Sequence, residues 1–188
     1  MSALITAVGE GVLLDCVVKE LKEEYEVACI PSFEKKVPDN TDLLVVLEDG
    51  WNPGTSLMGE RIAREYGIDW LRGFVAFGEG VIGPFVRPGD EGCSKCADLR
   101  RVMTASDRED LWNIQQTLVE DTRARQDEWV SLNGVMQMTC FIKNEVQRWS
   151  EGKRVLTEQA VHLVNMKTLE SSRHLFLPDS QCSYCGRE

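Results

Sequence analysis

The sequence predicts an α/β protein built on a Rossmann-like sheet and cross-linked by a tetra-cysteine staple. Three observations lead there. Residues Ala3 to Ile30 read in succession as strand, tight turn, helix and strand, the opening unit of a doubly wound fold. Leu43-Leu44-Val45-Val46-Leu47 is a continuous apolar run, the pattern of a strand buried on both faces. Two Cys-x-x-Cys pairs, Cys93 with Cys96 and Cys182 with Cys185, stand at mid-chain and near the C-terminus.

Taken in order, Ala3 to Val8 is the first strand, and Gly9-Glu10-Gly11 the turn into a helix over Val12 to Leu21. The turn lacks the third glycine of a dinucleotide fingerprint, since Leu14 stands there, and Pro31-Ser32 follow the second strand where a ribose-binding acid belongs. It therefore reads as a plain tight turn. Val27 to Ile30 is the second strand and Leu43 to Leu47 the third. Glu48 and Asp49 follow at its carboxyl end, the edge where open α/β sheets bind ligands. Acids at strand ends are commonly just solvated, and that is the expectation here.

Ser56 to Tyr66 carries helical periodicity with Gly67 as its stop. Asp69 to Phe77 and Gly80 to Phe85 form two strands about a Gly78-Glu79-Gly80 turn. After the first cysteine pair, Ser106 with Glu109 makes a capping box. Leu111, Trp112, Ile114, Leu118 and Val119 form the apolar stripe of the helix it opens, and the charged tract from Glu120 to Glu128 reads as a solvated face. Val135, Met138, Ile142, Val146 and Trp149 predict a second helix that closes at Gly152, a stripe that reads as core. Two late strands, Ala160 to Met166 and Arg173 to Leu177, precede the second cysteine pair. The organisation is thus a Rossmann-like core over residues 1–101, and over 102–188 a helical segment with the late strands and second pair, within one structural domain.

Length and charge bound the function. A chain of 188 residues supports one or at most two domains with a real core. A net charge of −10 argues against nucleic acid as a main partner, because phosphate binding needs a basic footprint. No apolar run approaches a membrane span. The N-terminus lacks a basic n-region and cleavage site, so a cytoplasmic location is expected.

Each Cys-x-x-Cys pair can place two thiolates on one metal from a single turn, and two such turns complete a tetrahedral site. Cys93, Cys96, Cys182 and Cys185 are the expected ligands of a structural zinc; two disulfides or four unrelated thiols are the alternatives. A tetra-cysteine zinc is coordinatively closed and so not catalytic. Cys16, Cys29 and Cys140 lie among apolar residues and read as buried free thiols. His162 and His174 lie in the late strands; His174 could at most orient a knuckle, and no Cys–His or Ser–His–Asp set assembles around either. No phosphate loop is present. The residues name no catalytic and no cofactor-binding position.

Asp42 to Leu47, then Gly83-Pro84-Phe85-Val86-Arg87-Pro88-Gly89, then Gly92-Cys93-x-x-Cys96-x-x-Leu99-Arg100 together resemble the cyclodehydratase accessory proteins of thiazole/oxazole-modified peptide (bacteriocin) biosynthesis. Leu177-Pro178-x-x-x-Cys182-x-x-Cys185-Gly186 fits the same pattern. The resemblance implies a ThiF-type fold, related to ubiquitin-activating enzymes and carrying their tetra-cysteine zinc site. It implies a non-catalytic scaffold for an ATP-dependent YcaO-type cyclodehydratase that forms azolines on a precursor peptide. ATP is then handled by the partner rather than this chain, and a homodimer is expected by analogy. The family usually places a winged-helix leader-binding module ahead of this part, whereas Met1 opens directly on the first strand; a truncated form or a segment of a longer protein is implied. Two other functions stay open: an ATP-dependent adenylating enzyme acting on a peptide or carrier-protein C-terminus, and a zinc-stapled interaction domain.

Overall fold

A computed structural model describes residues 3–105, 107–119 and 125–186. The elements run β1 (Leu4–Glu10), α1 (Val12–Leu21), β2 (Glu26–Ile30), β3 (Leu43–Glu48), α2 (Pro53–Tyr66), β4 (Asp69–Ala76), β5 (Glu79–Val86), α3 (Ser94–Thr104), α4 (Arg108–Leu118), α5 (Leu132–Ser150), β6 (Ala160–Asn165) and β7 (Ser171–Leu175). Among the described residues the strands make one sheet of order β2-β1-β3-β4-β5-β6-β7. The β2, β1, β3 and β4 strands are parallel, and β5, β6 and β7 continue antiparallel.

Alternation along the central strands divides the core. Ile5, Leu43, Val45 and Leu71 face α1 and α5, packing on Leu13, Val17, Met138 and Ile142. Val8, Leu44, Val46 and Trp70 face the other way, against Ala63 and Ile62 of α2. The β3 strand is buried along its length, as its unbroken apolar run requires. The Met138 stripe of α5 is buried as expected; Trp149 is only partly so, and its indole N–H donates to Asp69 Oδ2 at 2.7 Å.

Several boundaries move for local reasons. The β1 strand continues through Gly9 to Glu10, beyond the expected turn, because Gly9 takes φ +132° and lies so close to β3 that a Cβ would sit 1.9 Å from the Leu47 carbonyl oxygen. The α2 helix starts at Pro53, capped by Asn52, whose side-chain oxygen accepts from the Thr55 amide at 3.2 Å. The β4–β5 turn is Phe77-Gly78, both at positive φ, rather than a turn centred on Glu79. The expected Ser106 capping box, and residues 120–124 of the charged tract, lie outside the described residues.

Three expectations are corrected. Cys29 and Cys140 are exposed, each on the outward side of an element whose other side is apolar, and Cys16 is half-buried against the main core. In α4, Leu111 and Leu118 pack near Trp51 and Phe74, but Trp112 and Ile114 stay exposed. Glu48 and Asp49 are buried rather than solvated, since α1, α2 and the segment containing Asp127 cover the end of β3.

Candidate metal centre

Cys93 ends the extended run after β5, with φ −90° and ψ 176°, and is the N-cap of α3. Cys96 follows in the first turn of that helix, and Cys182 and Cys185 lie in a turn beyond β7. The four sulfurs all lie within 4.8 Å of one another. Cys93 to Cys96 is 3.7 Å, Cys93 to Cys182 3.6 Å and Cys96 to Cys185 3.5 Å. A tetrahedral site with metal–sulfur bonds of about 2.3 Å has edges of about 3.8 Å, whereas a disulfide needs about 2.05 Å. The sulfurs therefore fit four corners around one ion, and the disulfide alternative does not hold.

Remote contacts aim the two turns at each other. The Glu60 carboxylate of α2, fully buried, accepts from the Ser94 amide at 2.9 Å and from its hydroxyl. The Tyr184 hydroxyl donates to the Leu57 carbonyl at 3.2 Å. The Gly92 amide approaches Cys185 Sγ at 3.4 Å and the Asp179 amide approaches Cys96 Sγ at 3.5 Å, the N–H···S contacts that support charge on thiolate sulfur. Phe176 packs on the cysteines and closes the site from the sheet side.

Burial, reinforced by the Glu60 carboxylate, pushes the Cys93 thiol far above its ordinary range. Burial likewise pushes Cys96 up to about 11. Burial also acts upward on Cys182, but the Tyr184 and Cys185 amides outweigh it and bring this thiol down. Buried thiols of this kind ionise readily only when a cation takes the proton's place. The donor set, spacing and surroundings together fit a metal ion. His174 is not part of this arrangement: its Nε2 meets Ser172 Oγ at 2.8 Å in β7.

The crevice at the carboxyl ends of β1 and β3 is the other place where this topology binds ligands. It is a cavity of about 320 Å³ lined by Gly9, Glu10, Ser32, Glu34, Glu48 and Arg125 among others. Asp49 accepts from the Val12 amide at 2.7 Å and the Leu13 amide at 2.9 Å. These first-turn amides of α1 are the groups that hold phosphate in nucleotide-binding relatives of the fold, and here the chain's own carboxylate occupies them. Gly11 permits it, because a Cβ would lie 2.3 Å from Asp49 Oδ2.

The sequence could not reveal the buried pair of Arg72 and Asp98. Arg72 donates from Nη1 to Asp98 Oδ2 at 2.9 Å and from Nε to the Gly83 carbonyl at 2.9 Å. It joins the middle of the sheet to α3, and so to the first cysteine pair. Only a polar residue within the otherwise apolar β4 run signalled it.

No protein-family profile matches the chain, and no curated protein matches it in sequence. Solved structures do match in fold. The heterocyclase TruD superimposes with a TM-score of 0.69 at 20% identity, over 98% of this chain and 28% of that one. A chain of the Escherichia coli microcin synthetase McbBCD complex gives 0.70 at 15% identity, over 96% of this chain and 67% of the other. Escherichia coli MccB gives 0.67 at 13% identity, over 98% and 65%. The chain thus spans between about a quarter and two thirds of the length of these proteins. The fold implied by the motifs around Asp42 to Arg101 is the fold found.

Proposed function

We propose that the protein is an accessory subunit of an azoline-forming cyclodehydratase, binding structural zinc through Cys93, Cys96, Cys182 and Cys185 and performing no chemistry itself. One juxtaposition carries the reading. Nearly the whole chain shares its fold with a heterocyclase and a microcin synthetase component, while the phosphate seat of that fold is filled by Asp49. A nucleoside triphosphate would have to displace a carboxylate from the α1 amides and enter a crevice that also carries Glu10 and Glu34. Like-charge repulsion and the lost capping bonds both oppose this. ATP then belongs to a YcaO-type partner, and the substrate is a ribosomal precursor peptide.

Zinc is the metal assigned because four thiolates in a tetrahedron leave no open coordination position, the arrangement of structural sites. The site's work is to hold α3 and the C-terminal segment as one surface.

The test is reconstitution. A YcaO-type enzyme from the same genetic neighbourhood, its peptide and ATP are incubated with and without this chain, and loss of one water per ring is followed by mass spectrometry. The reading expects faster ring formation with the chain, and no ATP–pyrophosphate exchange by the chain alone. Exchange activity would instead support the adenylating alternative, for which the likeness to MccB, a microcin C7 biosynthetic enzyme, is the supporting observation. No stimulation and no exchange would leave the zinc-stapled interaction domain.

A further inference from the structure

A cleft of about 750 Å³ opens beside the free edge of the sheet, separated from the metal cluster by Phe176 and Ala97 and remote from the β1–β3 crevice. Its floor is Val161 and Leu163 of β6, its walls are α3 and α4, and its open side is β7. Every β7 residue is exposed.

The hydrogen-bond register says which β7 groups face outward. Asn165 donates to the Glu170 carbonyl and Phe176 to the Gln159 carbonyl, so the bonded positions alternate through Ser172 and His174. The amide and carbonyl groups of Ser171, Arg173 and Leu175 therefore point away from β6, and among the described residues no backbone partner meets them. An exposed row of this kind is a template for another strand.

A second feature asks for an acceptor. Arg101 lines the cleft, its guanidinium over Trp51 at 5.5 Å and over Phe74 at 5.9 Å. Its Nη2 lies 3.8 Å from Glu79 and 3.5 Å from the Ala76 carbonyl, and its buried Nη1 has no hydrogen-bond partner among the described residues. Arg100 stands beside it on α3, while Asp107, the N-cap of α4, and Asp110 within it also line the cleft. Buried donors without acceptors are rare, because removing one from water without a partner is costly.

We infer that this cleft docks an extended peptide segment that adds to β7 as an eighth strand, sets an apolar side chain between α4 and β6, and offers a carboxylate to Arg101. Alternate side chains of an added strand point to one face, which matches an apolar floor flanked by an arginine. A second copy of this chain fits less well: antiparallel self-pairing would bring Arg173 against its own copy, between bodies that each carry −10. The choice of a peptide as occupant rests on the peptide-maturation reading.

The experiment uses the purified full chain alone, with a short synthetic peptide of alternating leucine and glutamate and its leucine–lysine counterpart, followed by fluorescence anisotropy and by amide shifts of Ser171, Arg173 and Leu175. Saturable binding of the glutamate peptide, weaker binding of the lysine peptide, and shifts along β7 are expected. Leu175→Pro removes one outward amide without touching a bond to β6, and weakens binding about tenfold. If Leu175→Pro melts early, Arg101→Gln serves instead and weakens the glutamate peptide selectively. Absent or charge-independent binding, unchanged affinity in the variants, or self-association through β7 in sedimentation overturns the proposal. Because no partner enzyme is present, failure here leaves stimulation of the cyclodehydratase untouched. A chain that binds the peptide but fails to stimulate retains the docking site and loses the maturation role.

Discussion

Burial pushes the Glu48 carboxyl from about 4.5 up to about 8, opposed only in part by the Thr55 hydroxyl and Arg72. An acid whose folded pKa lies above its unfolded value binds more protons folded than unfolded between those limits. Stability therefore falls as pH rises through the window from about 4.5 to about 8. Glu48→Gln should flatten that slope and stabilise the protein above pH 8 by a few kcal/mol, on the order of magnitude such shifts carry; thermal melts across the pH range read it directly. Asp49 serves instead as a hydrogen-bond acceptor for the Val12 and Leu13 amides. Asp49→Ala removes both α1 capping bonds and should cost about 1–2 kcal/mol in urea titrations. Neither behaviour was legible in the sequence. An acid after a strand has the same local pattern whether it meets water, as expected here, or the amides of a distant helix, as found. Glu60 and Glu145 make the same point: each is buried and receives backbone amides from another element, Ser94 for the first and Leu156 and Thr157 for the second.

The helices divide by how they are held. The α5 helix lays Val135, Met138, Ile142 and Val146 into the main core, whereas α4 buries only Gln115. Hydrogen exchange should accordingly find the α4 amides opening well before those of α5, because few apolar contacts resist local unfolding. The α3 helix is held differently, by the Arg72–Asp98 pair beneath it. Asp98→Ala would leave a buried guanidinium unpaired, and a loss of about 3–5 kcal/mol is expected by denaturant titration. The metal site should loosen with it, since α3 presents Cys93 and Cys96 from its first turn. An Asp98→Ala protein with native melting and native metal affinity would show that the pair is incidental.

For the whole molecule, the two cysteine pairs join the middle of the chain to its end. By analogy with a disulfide, closing so long a loop removes about 4–5 kcal/mol of unfolded-chain entropy, against a total stability of about 5–15 kcal/mol for a domain of this size. On the function proposed above, Cys182→Ser should release the metal, measured by elemental analysis, lower the melting temperature and abolish stimulation of the cyclodehydratase. Cys140→Ser, at an exposed position outside the cluster, should keep metal, melting and stimulation. The reverse result would transfer the structural role to Cys140.

The sequence alone determined the features that are local or periodic. The glycine turn into α1, the unbroken β3 run and the Met138 stripe each encode one element through its own backbone or burial pattern. The paired cysteines encode their turns in the same way, because ligand spacing within a turn is a local property. Only the tertiary structure decided what depends on residues far apart in the chain. It brought the pairs into one cluster, seated Asp49 on α1, set Arg72 under α3, and left β7 bare at the sheet edge beside a cleft. The contacts among these span from 26 to 89 residues, and a side chain's partner at that range is fixed by strand order and helix packing, which no single stretch of sequence contains.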